Sequence, residues 1–253
     1  MNIEGLDITI LAPAFVAGLI VLMTHIPLGY EVLQRGIIFI DIAVAQIAGL
    51  GVIVAYTLGW DEHGVEAQIA AVSSAMIGAW ILNKLEKKHG KHQEALIGTS
   101  FILAATGGIL LLANNPHGGE HLKELLVGQI LWVEWKQLLY AGIFSVIVLF
   151  IWTQYRARIG SLGFYMLFAV AITVSVQLVG VYLVFASLII PALATFGYTV
   201  KSGFGLSMTI GISGYAAGLV LSALLDLPSG AVIVWMIAIS ALLIKIVIPL
   251  KTG

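Results

Sequence analysis

Apolar residues occur along this chain in long runs that are separated by short polar and charged segments. A helix needs about 20 mainly apolar residues to cross the hydrocarbon core of a bilayer. Nine runs approach or exceed that length, and the sixth and seventh are short because Gly180 and Pro191 interrupt them. An alternative for the sixth and seventh runs is one transmembrane span plus a re-entrant segment. The predicted spans are Ile8–Leu28, Ile37–Leu58, Val65–Leu82, Ala95–Ala113, Gln137–Trp152, Phe164–Gly180, Leu183–Tyr198, Phe204–Leu224 and Ala231–Ile248.

The pattern predicts an all-α fold, a polytopic membrane helical bundle of eight or nine transmembrane helices in a single domain over residues 1–253. Composition agrees: 60% of the residues are hydrophobic and 10% are charged, whereas soluble domains average about 25% charged residues. The net charge of −1 gives no electrostatic basis for nucleic-acid binding. The absence of cysteine excludes disulfides and thiolate metal sites. No G-x-x-x-x-G-K-[ST] motif is present, so we expect any ATP hydrolysis on another chain.

Charge predicts the orientation of the bundle. If the N-terminus is outside and the C-terminus inside, ten of the twelve Lys and Arg residues lie in or next to inner segments, as the positive-inside rule requires. The basic segment Lys84–His92 follows this rule, and contact with a cytoplasmic partner is its alternative role. The segment Asn114–Lys136 falls outside. Its apolar part, Leu125–Val133, is too short to span, so we expect a loop and a short interfacial or re-entrant helix there.

Asp41 is the most informative residue, because it lies within an almost wholly apolar predicted span. A carboxylate in the membrane is costly unless it faces a partner, a cavity or an ion. One hypothesis is that Asp41 lines a cation path. The other is that it turns toward the headgroups and pairs with Arg35, about a turn and a half away.

Two further polar residues within the spans are candidates for the same path. Gln46 lies about 140° around the helix from Asp41, which favours a hydrogen bond between helices over a shared site. His25 carries an imidazole suited to transition metals, although a lone histidine in a span more often has a structural role.

The outer segment contains the motif H-G-G-E-H, formed by His117, Glu120 and His121. Two imidazoles and a carboxylate suit a cation such as Zn²⁺. The order and spacing of these residues also match the H-x-x-E-H motif of one metalloprotease class. That enzyme motif requires a helix, which Gly118 and Gly119 after Pro116 disfavour. We therefore expect a solvated loop or transient cation capture, with a protease as the least favoured interpretation.

Several segments, in order along the chain, resemble the permease subunits of ABC-type zinc and manganese importers. The most specific is SVQLVGVYLVFASLIIPALA, from Ser175 to Ala194, which is similar to the signature helix of that family. The others are Gly29 with Gln34, Arg35, Phe39, Asp41 and Ala43, then Gly98–Leu112, Pro116–Gly128, Leu125–Val133 and Asp226–Gly230.

The resemblance implies a multi-pass protein of the bacterial inner membrane that imports Zn²⁺ or Mn²⁺ and is not itself an enzyme. It implies a pair of permeases, expected as a homodimer, working with cytoplasmic ABC ATPase subunits and an extracytoplasmic metal-binding protein. No permanently bound cofactor is expected, since the divalent metal ion is the cargo. The resemblance also implies that Asp41 lies on the ion route.

Two departures from the family pattern leave an alternative open. The family usually has histidine four residues after the aspartate, where this chain has Ala45; His25 is a conjectural replacement. The link Thr153–Gly163 is short and basic where the family has a coupling helix for the ATPase. The alternative is a membrane metal sensor or carrier of the same fold that works without an ATPase.

Overall fold

The protein is a bundle of ten α-helices in this computed structural model, which describes residues 7–61, 64–89, 92–116 and 118–248, with the backbone alone at 89 and 121. No strand occurs among these residues. The helices are α1 (Ile8–Arg35), α2 (Ile40–Thr57), α3 (Val65–His89), α4 (Gln93–Leu112), α5 (Gly118–Val127), α6 (Trp135–Tyr155), α7 (Gly160–Val179), α8 (Val181–Ala194), α9 (Val200–Leu225) and α10 (Ser229–Val247).

Eight of these helices are long and apolar enough to cross a membrane, and α5 and α8 are shorter. At 1.5 Å per residue, the 14 residues of α8 span only about 21 Å. The helix nevertheless runs between the two ends of the bundle. Gly180 before it packs on the segment after α5, and Thr195 after it bonds to Tyr30 near the end of α1. Among the described residues, eight of the predicted spans are thus helices long enough and apolar enough to cross a membrane. Helix α8 takes the place of the seventh predicted span, and its crossing stays a prediction.

The reversal from α7 to α8 depends on two glycines with positive φ. Gly180 has φ 82° and Gly128, after α5, has φ 73°. A Cβ on Gly128 would lie 2.3 Å from the carbonyl carbon of Val179, and one on Gly180 would lie 2.4 Å from the nitrogen of Gly128. Only residues without a side chain allow this backbone contact, which ties the α5 segment to the α7–α8 turn.

We call the end of the bundle where α1 ends and α2 begins the basic end, and the other the acidic end. Hydrogen bonds at the basic end join α3 to α7 through Asn83 and Ser161 (2.8 Å), and α4 to α7 through Gln93 and Tyr165 (2.5 Å). The acidic end carries Asp7, Asp61, Glu66 and Asp226. Which end faces the cytoplasm stays a prediction from charge.

The helices differ strongly in how much of their surface the bundle covers. In the most apolar 18-residue window of each, α2 and α7 are 61% buried, against 22% for α4 and 28% for α6 and α10. Helix α2 packs against α3, α4, α7 and α8. The residue singled out from the sequence, Asp41, therefore lies on one of the two most enclosed spans.

Helix α1 extends seven residues beyond its expected end at Leu28, to Arg35. Pro27 lies inside it, although proline removes one helical hydrogen bond. Tight packing maintains the continuation: a Cβ on Gly29 would lie 2.1 Å from the carbonyl oxygen of Leu188 in α8. The helix ends at Gly36, which has φ 67°.

Candidate functional site

Asp41 lies in the first turn of α2 and is 1% exposed. Neither of its carboxylate oxygens has a hydrogen-bond partner among the described residues. Its surroundings are apolar, since Ile40, Ala43, Val44 and Ala45 are all buried. A buried carboxylate without partners is strongly unfavourable, so this position is difficult to explain by stability alone.

The hypothesis that Asp41 pairs with Arg35 is not what the structure shows. The Nε of Arg35 donates to Oε1 of Glu31 at 2.7 Å, and its guanidinium carbon lies 4.3 Å from the ring centroid of Phe164. Arg156, just after α6, donates to the other oxygen of Glu31 at 2.5 Å. Glu31, one turn before Arg35, thus engages both arginines.

A second carboxylate, which the sequence analysis did not select, lies beside Asp41. Glu94, in the first turn of α4, accepts a hydrogen bond at Oε1 from the backbone N–H of Ile38, at 2.5 Å. Its Oε2 is buried and has no partner within the described residues. Ile38 lies three residues before Asp41, so the bond to Ile38 attaches Glu94 to the turn that leads into α2. The only signal in the sequence was an acidic residue at the start of a predicted span.

His25 is fully buried in α1, and its Nδ1 lies 2.9 Å from the hydroxyl of Thr24. Its Nε2 has no partner in the part of the chain described. Ten residues separate it from Arg35, so it lies about 15 Å along α1 from the basic end. Gln46 is half-buried on α2. Asp41 lies close to the basic end, so His25 lies deeper in the bundle than Asp41.

The outer motif lies partly within α5. The structure corrects the expectation that the glycines disfavour a helix, because α5 begins at Gly118. A Cβ at Gly118 would lie 2.7 Å from the carbonyl oxygen of Leu112, so the packing accounts for a glycine at the start of the helix. Glu120 is exposed, only the backbone of His121 is described, and His117 lies outside the described residues.

Glu120 borders a shallow surface cavity of about 300 Å³ at the acidic end. The Gly128–Gly180 contact fixes this location, since it joins the segment to the far end of α7. The outer motif and Asp41 thus lie at opposite ends of the bundle. The cavity is lined by Glu120, Lys123, Glu124, Val127, Gly128 and Gln129.

Among the described side chains, no three of His, Asp and Glu form a group that could hold a metal ion. The arrangement is therefore unlike a resident metal centre, which usually has three or four protein ligands. A transport site has a different requirement, because the ion must bind and then leave. Sparse carboxylates within an enclosed span meet that requirement.

Comparison with known proteins gives consistent relatives. Residues 7–159 and 155–248 match the model of the ABC 3 transport family. The high-affinity zinc uptake system membrane protein ZnuB of Haemophilus influenzae is 25% identical over 246 residues, covering 89% of this chain and 92% of that protein. A probable metal transport system membrane protein of Chlamydia pneumoniae is 24% identical over 257 residues, covering 91% of this chain and 86% of its own.

Solved structures share the fold. PsaBC from Streptococcus pneumoniae, solved in complex with Fab, matches with a TM-score of 0.77 and 23% identity, covering 98% of this chain and 97% of that one. An ABC transporter in an inward-facing conformation matches with a TM-score of 0.61 and 17% identity, covering 94% and 85%. At these identities the likeness concerns the fold.

Proposed function

The chain belongs to the ABC 3 transport family, and from that premise we propose that it is the permease of an ATP-driven importer of a divalent metal ion, Zn²⁺ or Mn²⁺. It is a multi-pass protein of the bacterial inner membrane and a transport subunit, not an enzyme. ATP is hydrolysed on a separate chain. The family implies a substrate-binding partner as well. Two relatives with names referring to metal transport support the choice of cargo.

The observation that carries the proposal is the unpartnered carboxylate of Asp41, buried on the central helix α2. A cation passing this point would gain a charged oxygen ligand and would relieve the cost of leaving that ligand unpaired. Asp41 thus lowers the barrier for a cation without holding it permanently. Gln46 and His25 are further polar positions for the same route.

The two ends of the bundle suit different partners. Under the positive-inside rule the basic end faces the cytoplasm and the ATPase. The acidic end then faces the extracytoplasmic metal-binding protein, and we propose that His117, Glu120 and His121 receive the delivered ion there. Trp132 and Trp135 are 80% and 60% exposed on the same side, as expected for headgroup contact. By the family resemblance, two copies of the chain form a homodimer.

The α6–α7 link has a new role in this proposal. Only Arg156 to Ile159 separate the two helices, and the salt bridge from Arg156 to Glu31 ties the link to α1. If an ATPase displaces this link, the salt bridge would transmit the movement to the end of α1 and to the turn that leads to Asp41. We propose that this link and the Lys84–His92 segment form the ATPase contact.

The test is uptake of Zn²⁺ and Mn²⁺ by cells that express the chain with its ATPase. Uptake that requires the native chain and ATP hydrolysis, and that Asp41→Asn abolishes at equal expression, supports the proposal. Uptake independent of ATP hydrolysis would favour the sensor or carrier alternative. Asp61→Asn, at the acidic end, is a matched control that removes an acid from outside the route.

A further inference from the structure

Glu94, like Asp41, has a buried carboxylate oxygen without a hydrogen-bond partner among the described residues. Asp41 supplies two buried oxygens without partners and Glu94 supplies a third. The only other side-chain atom of this kind among the described residues is Nε2 of His25, which lies deeper in the bundle. Among the described residues, three of the four unsatisfied buried side-chain atoms thus belong to Asp41 and Glu94, on the packed helices α2 and α4. We propose that Asp41 and Glu94 together form an oxygen-only binding site for a divalent cation of the Mn²⁺ class, an inference that rests on the proposed function.

The backbone holds Glu94 in place for this role. The N–H of Ile38 donates to its Oε1, and Ile38 lies in the turn between α1 and α2, three residues before Asp41. Phe39 in the same turn stacks on Phe185 of α8, with ring centroids 6.3 Å apart. The turn that leads to Asp41 is therefore held by α4 on one side and by α8 on the other.

Among the described residues, neither acid forms a salt bridge with the arginines at this end of the bundle. Arg35, six residues before Asp41, is engaged by Glu31 and lies over Phe164. Two unpaired carboxylate groups on packed helices in a low-dielectric setting are unfavourable, and a divalent cation bound by both would cancel both charges. The pair thus has the charge and the donor atoms of a cation site, with the remaining coordination left to water and backbone carbonyls.

The donor set indicates the class of ion. Carboxylate, carbonyl and water oxygens suit Mn²⁺, whereas imidazole favours Zn²⁺. The position one turn beyond Asp41, where an imidazole would extend the site, is Ala45 and is 1% exposed. Because Ala45 supplies no imidazole, we expect the usual advantage of Zn²⁺ over Mn²⁺ to be smaller at this site.

The experiment measures Mn²⁺ and Zn²⁺ binding by calorimetry to the full chain in lipid nanodiscs. We expect Glu94→Gln to weaken Mn²⁺ binding at least about tenfold, and Glu94→Asp to restore most of it. Glu94→His should raise the ratio of Zn²⁺ to Mn²⁺ affinity at least about tenfold, since it supplies the missing imidazole. Glu86→Gln is the matched control: Glu86 lies at the same end but accepts from the hydroxyl of Ser161 at 2.8 Å, and its loss should leave both affinities unchanged.

The outcomes separate this inference from the proposed function. If Asp41→Asn abolishes uptake and Mn²⁺ binding while Glu94→Gln changes neither, the two-carboxylate site is overturned and the permease proposal stands. If Asp41→Asn also leaves uptake intact, both are overturned. An unchanged ratio in a folded Glu94→His protein contradicts the assignment of the ion class. Thermal unfolding of every variant identifies binding that is lost through misfolding. If Glu94→Gln misfolds, Mn²⁺ binding by Glu94→Asp decides whether a carboxylate at position 94 is a ligand.

Discussion

Glu31 and Asp41 are two buried carboxylates near the basic end, and their surroundings are opposite. Glu31 is 8% exposed and both its oxygens bind arginines, Arg35 and Arg156. Asp41 is 1% exposed and neither of its oxygens has a partner among the described residues. The chain thus has arginines within reach of this end, and they are engaged by the acid that joins α1 to the α6–α7 link.

The difference is the one expected between a structural acid, Glu31, and the functional acid that we propose, Asp41. A buried ion pair is maintained by its geometry, and removing one partner leaves a buried charge that destabilises the fold. An unpaired buried acid gives the fold nothing and is retained for what it binds. Stability and transport should therefore respond in opposite ways to substitutions at the two positions.

The largest expected effect is on transport by Asp41→Asn. Removing the charge eliminates the ligand of the proposed route, so we expect uptake to fall about 100-fold or more. The unfolding temperature should stay equal or rise, because an unpaired buried charge is removed. Radiotracer uptake and thermal unfolding in the same preparation check both statements. A strong loss of stability would show that Asp41 has a structural partner, and the comparison with Glu31 would fail.

The next effect is on stability, through Glu31→Ala. Both arginines lose their carboxylate, and we expect a loss of about 1 to 3 kcal/mol of unfolding free energy. Arg156 is 56% exposed, so solvent screens its share and the lower part of that range is favoured. Denaturant unfolding in mild detergent measures the change, with Glu86→Ala as a control acid at the same end.

The sequence predicted the fold well because membrane spans are determined by local hydropathy. Among the described residues, a helix occurs at each of the nine predicted spans. Eight of these helices are long and apolar enough to cross a membrane, and α8 is shorter. Helix ends were less predictable. The first span was predicted to end at Leu28, but α1 continues to Arg35 with Gly29 packed tightly on Leu188, and that contact is visible only in three dimensions.

The site was predictable only in part, for a similar reason. Asp41 was identified because an acid in an apolar run is conspicuous by itself. Glu94 follows a basic segment, where an acid is unremarkable, and becomes significant only when α4 packs on α2. Arg35 likewise has two acids nearby in the sequence, Glu31 and Asp41. Spacing along the chain does not decide which of them it pairs with.

A smaller effect is expected for Arg156→Lys, which keeps the charge and loses the planar guanidinium. We expect it to lower stability by less than about 1 kcal/mol. If the α6–α7 link transmits movement of the ATPase through Glu31, the number of ions taken up per ATP hydrolysed should fall. The relative fall should be larger than the change in unfolding free energy or in metal affinity. Coupled ATPase and uptake assays in proteoliposomes measure that ratio. Arg158→Lys, two residues along the same link, is the matched control, and an equal change in both variants would contradict a specific role for the Glu31 contact.

The smallest effect concerns a third acid, Asp7, which is exposed and has only local partners. It caps α1 by accepting bonds from the N–H and the hydroxyl of Thr9, at 2.8 and 2.7 Å. The hydroxyl bond, followed by the backbone bond, lowers the pKa of Asp7 below its ordinary value of 3.8. Because the folded-state pKa is lower than that of the unfolded chain, the cap stabilises α1 above about pH 3.8 and is lost as pH falls through the lowered value. An NMR titration of the Asp7 carboxyl should show this shift, and Thr9→Val should remove its larger part. Between pH 5 and 8 Thr9→Val should not alter uptake, since this exposed cap at the acidic end lies far from Glu31 and Asp41.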